Sequence, residues 1–253
     1  MLPEHTSDYL LDKKVKIFQP VNGYRASTDA VLLAAFVSVS KYGKILDVGS
    51  GTGAVSLCLA ERLKQQNPLI TGLEIQPELA NLSNFSAQSN NYTNLHFQNA
   101  DIRLGAKNNG LLPCSFDAVV TNPPYSEHDL PSPNKSKATA HNHTNFDLQH
   151  WLEFCLKMAK PFGKIYMINR AEALPQICSI LYGKAGNMTI LPIYSKKMQT
   201  AKRIIISAQK DSKTPSRILP PFYTHLANGE YSDEAQKILR LGSGFEETFP
   251  YLI

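Results

Sequence analysis

Two short runs of residues have the types and spacing to do chemistry. One is Asn122-Pro123-Pro124-Tyr125, which closes the apolar run FDAVVTN. Neither proline has a backbone N–H, each fixes φ near −65°, and Pro124 keeps Pro123 out of the helical region, so this peptide is extended and stiff. An exocyclic amine on a base or an amide is a poor nucleophile because its lone pair is delocalised. The side-chain oxygen of Asn122 and the carbonyl of Pro123 can accept its two N–H bonds and draw it towards a tetrahedral, reactive geometry, with no reorganisation during reaction. Tyr125 can stack on the planar group and fix its angle. Taken alone, the run also suits a strand-terminating turn, because Asn-Pro favours turns.

The other run is ILDVGSGTGAV, where a strand ends at Asp47 and Gly49, Gly51 and Gly53 lead into a helix. The glycines allow a tight turn and bring backbone amides to a ligand at the positive end of that helix. As a bare pattern, Gly49-x-Gly51-x-x-Ala54 also fits a dinucleotide fingerprint. Asp47 argues against that: a carboxylate there faces a pyrophosphate unfavourably and suits a positive ammonium, such as the methionine part of S-adenosylmethionine. Glu74 closes the next strand about twenty residues on, where an acid can accept both ribose hydroxyls. Asp101, ending the third strand in NADI, is placed to accept from an adenine amino group.

The elements that must position these residues alternate between strand and helix, the pattern of a mostly parallel sheet with helices on both faces. Strands are expected at 44–49, 69–75, 95–101, 116–122 and 164–169. Helices are expected at 54–66 (Val55, Cys58, Leu59 and Leu63 on one face), 77–90 with Pro77 in the first turn, 147–160 and 171–186. NMTILPIYS and KRIIISAQK follow with no helix between them, so they pair antiparallel, giving a seven-stranded α/β sheet with one reversed strand. An amphipathic helix starting near Thr28 or Asp29 precedes the first strand, and Trp151 opens the 147–160 helix as a core residue. Residues 123–146 form a polar loop too long for a mere connector.

Composition sets outer bounds. The chain has 253 residues, 43% hydrophobic and 19% charged, ordinary for a soluble globular domain. No apolar stretch approaches a membrane span, and the N-terminus has no basic start followed by an apolar core. Cys58, Cys114, Cys155 and Cys178 are scattered, as reduced cytoplasmic thiols would be. A net charge of +5 permits a polyanionic partner without demanding one. Lys135 and Lys137 after the Asn-Pro-Pro-Tyr run, and Lys196, Lys197, Lys202 and Arg203 around the terminal hairpin, can contact phosphates; each cluster also suits a solvated face. His141, His143 and His150 sit in or beside a polar loop that makes a poor metal cage, so no metal is expected.

Asp47-Val-Gly-Ser-Gly-Thr-Gly, Glu74 and the one antiparallel strand together resemble the Rossmann-like class I S-adenosylmethionine-dependent methyltransferases. With FQPVNGYRASTDAVLLAAF (18–36), Asn122-Pro-Pro-Tyr and the tail RILPPFYTHLANGEYSDEAQKILR, the resemblance narrows to the tRNA1(Val) (adenine-N6)-methyltransferases, over about residues 8 to 240. It implies an enzyme that methylates adenine N6 in tRNA beside the anticodon, acting in the cytoplasm as a monomer or weak homodimer. Gln19, Tyr24, Arg25 and Asp29 fall on that family's N-terminal motif, which borders the cofactor's methionine end. Residues 1–40 are then an N-terminal extension with a cofactor-covering helix, and 41–253 the methyltransferase domain with a C-terminal hairpin and helix. Protein glutamine methyltransferases share Asn-Pro-Pro-Tyr but normally carry a helical recognition domain before the sheet, for which some forty residues leave little room. The remaining rival, a catalytically silent nucleotide- or RNA-binding module, sits badly with an intact Asn-Pro-Pro-Tyr.

Overall fold

The computed structural model describes residues 2–23, 25–124 and 148–249. Its centre is β3 (Lys44–Val48), whose apolar side chains alternate between two buried faces. Parallel partners lie on both sides: β4 (Leu69–Glu74) and then β5 (Leu95–Asn99) on one, β6 (Phe116–Thr121) and then β7 (Ala159–Arg170) on the other. Beyond β7 come β9 (Arg203–Lys210) and β8 (Ala185–Tyr194). The β9 strand runs antiparallel to both of its neighbours, as two strands without an intervening helix require.

Among the described residues the sheet has nine strands rather than the expected seven. The additional pair, β10 (Arg217–Ile218) and β11 (Phe222–Tyr223), comes from the tail, and both pair parallel with the edge of β8. Pro220 and Pro221 lie between them and cannot donate to a ladder, so one potential edge strand is cut into two short pieces. A separate hairpin, β1 (His5–Leu10) with β2 (Val15–Pro20), precedes the central strands and buries Val15, Ile17 and Phe18.

Helices cover both faces. On one lie α1 (Thr28–Phe36) and α2 (Ala54–Arg62), sharing a core with Ile45, Ala118, Tyr166, Ile168 and Ile205. The other face carries α4 (Gly105–Asn108), α5 (Leu148–Met158) and α6 (Leu174–Leu181), packed on Leu46, Val48, Val119, Ile165 and Met167. The helix α3 (Pro77–Ser89), with its proline in the first turn as expected, supports β2: Asn90 exchanges hydrogen bonds with the Lys16 backbone and Ser86 accepts from Phe18 N.

Several elements differ from the sequence reading: the helix expected at 54–66 ends at Arg62, and the one expected at 171–186 spans Leu174–Leu181 because Ala185 and Gly186 already pair with β9. The α1 helix is buried from Ala30 to Phe36 instead of amphipathic, because the tail packs over its outer side through Ile238 and Phe245. The helix expected to reach residue 160 ends at Met158, where Ala159 already pairs with Phe116. The third strand stops at Asn99, and Asp101 instead caps a short 3-10 turn by accepting from Arg103 N. No helix among the described residues is long and apolar enough to cross a membrane.

Candidate active site

Parallel register fixes the site. Val48 lies opposite Leu73 on one side and Thr121 on the other. The next residues, Glu74, Gly49 and Asn122, therefore form one row at the carboxyl ends of three adjacent strands, about 5 Å from strand to strand. Crevices outside the carboxyl ends of such strands are where open α/β sheets bind ligands. The two sequence signals singled out for chemistry thus meet at one edge. Tyr125 lies outside the described residues, as do Tyr24, Lys135, Lys137, His141 and His143.

Gly49, Gly51 and Gly53 have φ of +74°, +56° and +81°, a region that disfavours side chains. Space forbids them as well: a Cβ on Gly49 would come within 2.7 Å of the Trp151 ring, and one on Gly53 within 2.7 Å of Phe97. Gly53 caps α2 without a side-chain hydrogen bond, and no acid occupies the helix's first turn, so its positive end is left for a ligand anion. The hydroxyls of Ser50 and Thr52, buried in the same loop, have no hydrogen-bond partner among the described residues. An open helix start and unspent hydroxyl valence beside an acidic strand end suit S-adenosylmethionine, which carries a carboxylate, an ammonium and a ribose.

Glu74 is buried, and its two carboxylate oxygens accept from Gly51 N (2.9 Å) and Gln76 N (2.8 Å). Burial raises its pKa, and these amide hydrogen bonds oppose the rise. The acid therefore braces the glycine loop while each oxygen keeps a second lone pair. Asp101 is gripped by the Arg103 guanidinium, Nη2 to Oδ2 at 2.6 Å, so an adenine amine there would share an engaged carboxylate.

Asp47 lies deeper than its assigned role suggests. It is 1% exposed and accepts from Ser56 Oγ at 2.7 Å, on the α2 side of the sheet. Burial pushes its pKa up to about 7, the Ser56 hydrogen bonds oppose the rise, and the neighbouring Glu74 adds to it. In an unfolded chain this group titrates near 4, so between about pH 4 and 7 the folded state holds the extra proton and stability falls as pH rises. Asp47→Asn is accordingly expected to raise the melting temperature of the ligand-free protein by about 5 °C at pH 8 and to leave it nearly unchanged at pH 4, measured by thermal denaturation.

The N-terminal motif folds on itself. Asp8 accepts from Arg25 (2.7 Å) and Gln19 (3.0 Å), while Gln19 Oε1 accepts from Ala26 N. Asp29, in the first turn of α1, pairs with Arg203 at the start of β9 (2.9 Å). One residue assigned to the cofactor and another assigned to the substrate thus neutralise each other. Because β8 runs in the direction of β7, Lys196 and Lys197 after it, and Lys202 and Arg203 opening β9, all lie on the rim that holds Asn122. A recess of about 640 Å³ opens there between the 195–202 turn and the tail, lined among others by Lys196, Lys197, Tyr223, His225 and Phe249.

Two residues at the site escaped the sequence reading. In sequence Thr121 reads as one more strand residue and Trp151 as a core residue of its helix. Instead Trp151 is only partly buried and hydrogen-bonds Thr121. No one-dimensional pattern marks this pair, because it forms only when α5 crosses the end of β6.

Fold and rim together define a Rossmann-like enzyme that binds S-adenosylmethionine. Residues 40–218 match the methyltransferase domain family, and the chain belongs to that family; it is an S-adenosylmethionine-dependent methyltransferase. It is 26% identical over 237 residues to the tRNA1(Val) (adenine(37)-N6)-methyltransferase of Bacteroides fragilis, covering 90% of this chain and 94% of the relative. The enzyme of the same name from Pedobacter heparinus is 27% identical over 231 residues, with the same coverage. Among solved structures, a predicted O-methyltransferase from Agrobacterium tumefaciens shares the fold at a TM-score of 0.72 and 22% identity, over 86% of this chain and 98% of that one.

Proposed function

We propose that this methyltransferase transfers its methyl group to the N6 amine of an adenine in tRNA, at the position beside the anticodon, in the cytoplasm. The observation that carries the reading is the row Glu74–Gly49–Asn122: a rigid Asn-Pro-Pro corner stands one strand from the cofactor loop. The relatives named for this reaction, alignable over nine-tenths of the chain, support the choice of acceptor.

Gly49, Gly51, Gly53 and Glu74 hold the cofactor, with Asp47 beneath the loop, Asp101 beyond β5, Arg25 ahead of α1 and Asp29 in its first turn. When bound, S-adenosylmethionine supplies a methyl group on a positively charged sulfur, open to in-line displacement by an amine. Asn122 Oδ1 and the Pro123 carbonyl accept the two N–H bonds of the adenine amine and localise its lone pair. Pro123 and Pro124 remove the backbone freedom that would otherwise blur this geometry. Tyr125 stacks on the base. A proton leaves the nitrogen to solvent after transfer, so no general base with a raised pKa is needed.

An adenine in a hairpin loop has no base pair to break, so turning it out costs only a few kcal/mol. Lys196, Lys197, Lys202 and, after the Asn-Pro-Pro-Tyr run, Lys135 and Lys137 supply phosphate contacts, and Arg203 adds to them less strongly because Asp29 pairs with it. The recess beside Lys196 and Lys197 lies three strands, about 14 Å, from the β6 end. With Tyr223 and His225 in its wall it suits a second, neighbouring base.

Lys197→Ala combined with Lys202→Ala is expected to raise KM for tRNA about tenfold and to lower the salt slope of binding by about two, with kcat nearly unchanged. Filter binding over a salt series and steady-state kinetics check this. The acceptor itself is tested by incubating the protein with tritiated S-adenosylmethionine, total tRNA and protein extract, then digesting the labelled fraction. Label in N6-methyladenosine is expected; label in glutamine, or in a different RNA nucleoside, overturns the reading.

A further inference from the structure

One side chain touches both halves of the site. The indole Nε1–H of Trp151 donates to Thr121 Oγ1 at 2.7 Å, and the Thr121 hydroxyl donates to the Val48 carbonyl at 2.8 Å. An indole N–H can only donate and a carbonyl can only accept, so the hydroxyl proton is committed to Val48 and the chain of bonds has one direction. Thr121 has no exposed surface and immediately precedes Asn122; Val48 immediately precedes Gly49. Meanwhile Cζ2 and Cη2 of the same indole lie where a Gly49 Cβ would come within 2.7 and 2.9 Å, so the ring is seated on the first glycine of the loop. The rest of α5 is anchored by Leu152, Phe154, Cys155 and Met158 in the core, which leaves the indole little freedom to shift.

We infer that Trp151 is a positioning residue that, through Thr121 and Gly49, sets the separation between the cofactor loop and the amine-holding Asn122. The inference rests on the reading of Asn122 given above. Such a clamp acts on rate more than on binding. Reacting atoms must sit within a near-attack distance, and a misplacement of about 1 Å can cost about a hundredfold. Cofactor affinity rests chiefly on Glu74 and the open end of α2, whereas Trp151 meets the loop at Gly49, so its loss changes rate more than affinity. A mere packing role would look different: truncation would lower the melting temperature and leave kcat intact.

The test compares Trp151→Phe, which keeps an aromatic ring but loses the N–H, with Thr121→Val, which keeps the volume but loses the hydroxyl, and with Thr121→Ser, which restores it. Turnover is followed on the acceptor that the wild-type protein labels. The expected result is a kcat about tenfold lower in Trp151→Phe and in Thr121→Val, with KM for S-adenosylmethionine within about threefold. The double variant should be no slower than the worse single one, because both changes break one chain of bonds, and Thr121→Ser should recover most of the rate. Full kcat in both single variants, or losses that multiply in the double variant, would overturn the inference. Asn122→Ala run alongside separates the two ideas: impaired Asn122→Ala with intact Trp151→Phe and Thr121→Val sinks the clamp alone. Full turnover in Asn122→Ala sinks the reading of Asn122 and the clamp together.

Discussion

Asn122→Ala is expected to lower kcat about a thousandfold while the Kd for S-adenosylmethionine stays within about threefold, the scale seen when one preorganised hydrogen-bonding group is removed from a reacting centre. The separation of the two effects follows from the architecture. Asn122 follows β6, and the glycine loop proposed to hold the cofactor hangs from β3, where Glu74 and the start of α2 secure it. Removing an amide from one strand leaves the other anchored. Asn122→Asp provides an internal comparison, since it keeps a carbonyl-like acceptor at the same reach and should retain more activity than alanine. Single-turnover rates measured alongside calorimetric binding of the cofactor read both quantities on one preparation. An alanine variant with unchanged turnover contradicts the role assigned here.

The second large effect belongs to Glu74. Its carboxylate accepts from Gly51 N and Gln76 N, and in the proposed reading its remaining lone pairs accept from the ribose hydroxyls. Glu74→Ala deletes these acceptors and leaves two backbone donors near the loop without partners. Each hydrogen bond to a charged group contributes roughly 1.5–3 kcal/mol, so losing those to the ribose should weaken S-adenosylmethionine binding by about a hundredfold or more. Glu74→Gln keeps one acceptor oxygen and should fall between alanine and wild type. Isothermal titration with S-adenosylmethionine gives the ranking directly. Binding by Glu74→Ala within about threefold of wild type would show that the acid braces the loop without touching the ligand.

Much of the architecture could be read in the chain because strands buried on both faces are continuous apolar runs. KILDV, LITGLE and FDAVVT declare themselves by composition, and the glycine loop by its spacing. The antiparallel return of β9 followed from the short link before it. What could not be read was set by contacts distant in sequence. Burial of α1 on all sides depends on tail residues some two hundred positions away, such as Phe245 against Phe36. The two-residue strands β10 and β11 exist because β8 offers them an edge; alone, their sequences hold no strand period. At the site, the acids at or next to the ends of β3 and β4 and the amide just after β6 are legible as groups near strand ends, but their partners are not. Ser56 holds Asp47, Arg103 holds Asp101 and Arg203 holds Asp29, each pairing made by the fold.

The central claim is that the Asn-Pro-Pro corner acts on an exocyclic adenine amine, and one substitution in the substrate addresses it. Two synthetic anticodon stem-loops are prepared from a tRNA that the protein methylates, one with adenosine at the target position and one with purine riboside, which lacks only the amino group. Both are incubated with the protein and labelled S-adenosylmethionine, digested, and resolved by mass. The expected result is N6-methyladenosine from the first and no incorporation into the second. Equal incorporation into the purine riboside RNA, through methylation of a ring nitrogen or a ribose, would contradict the account.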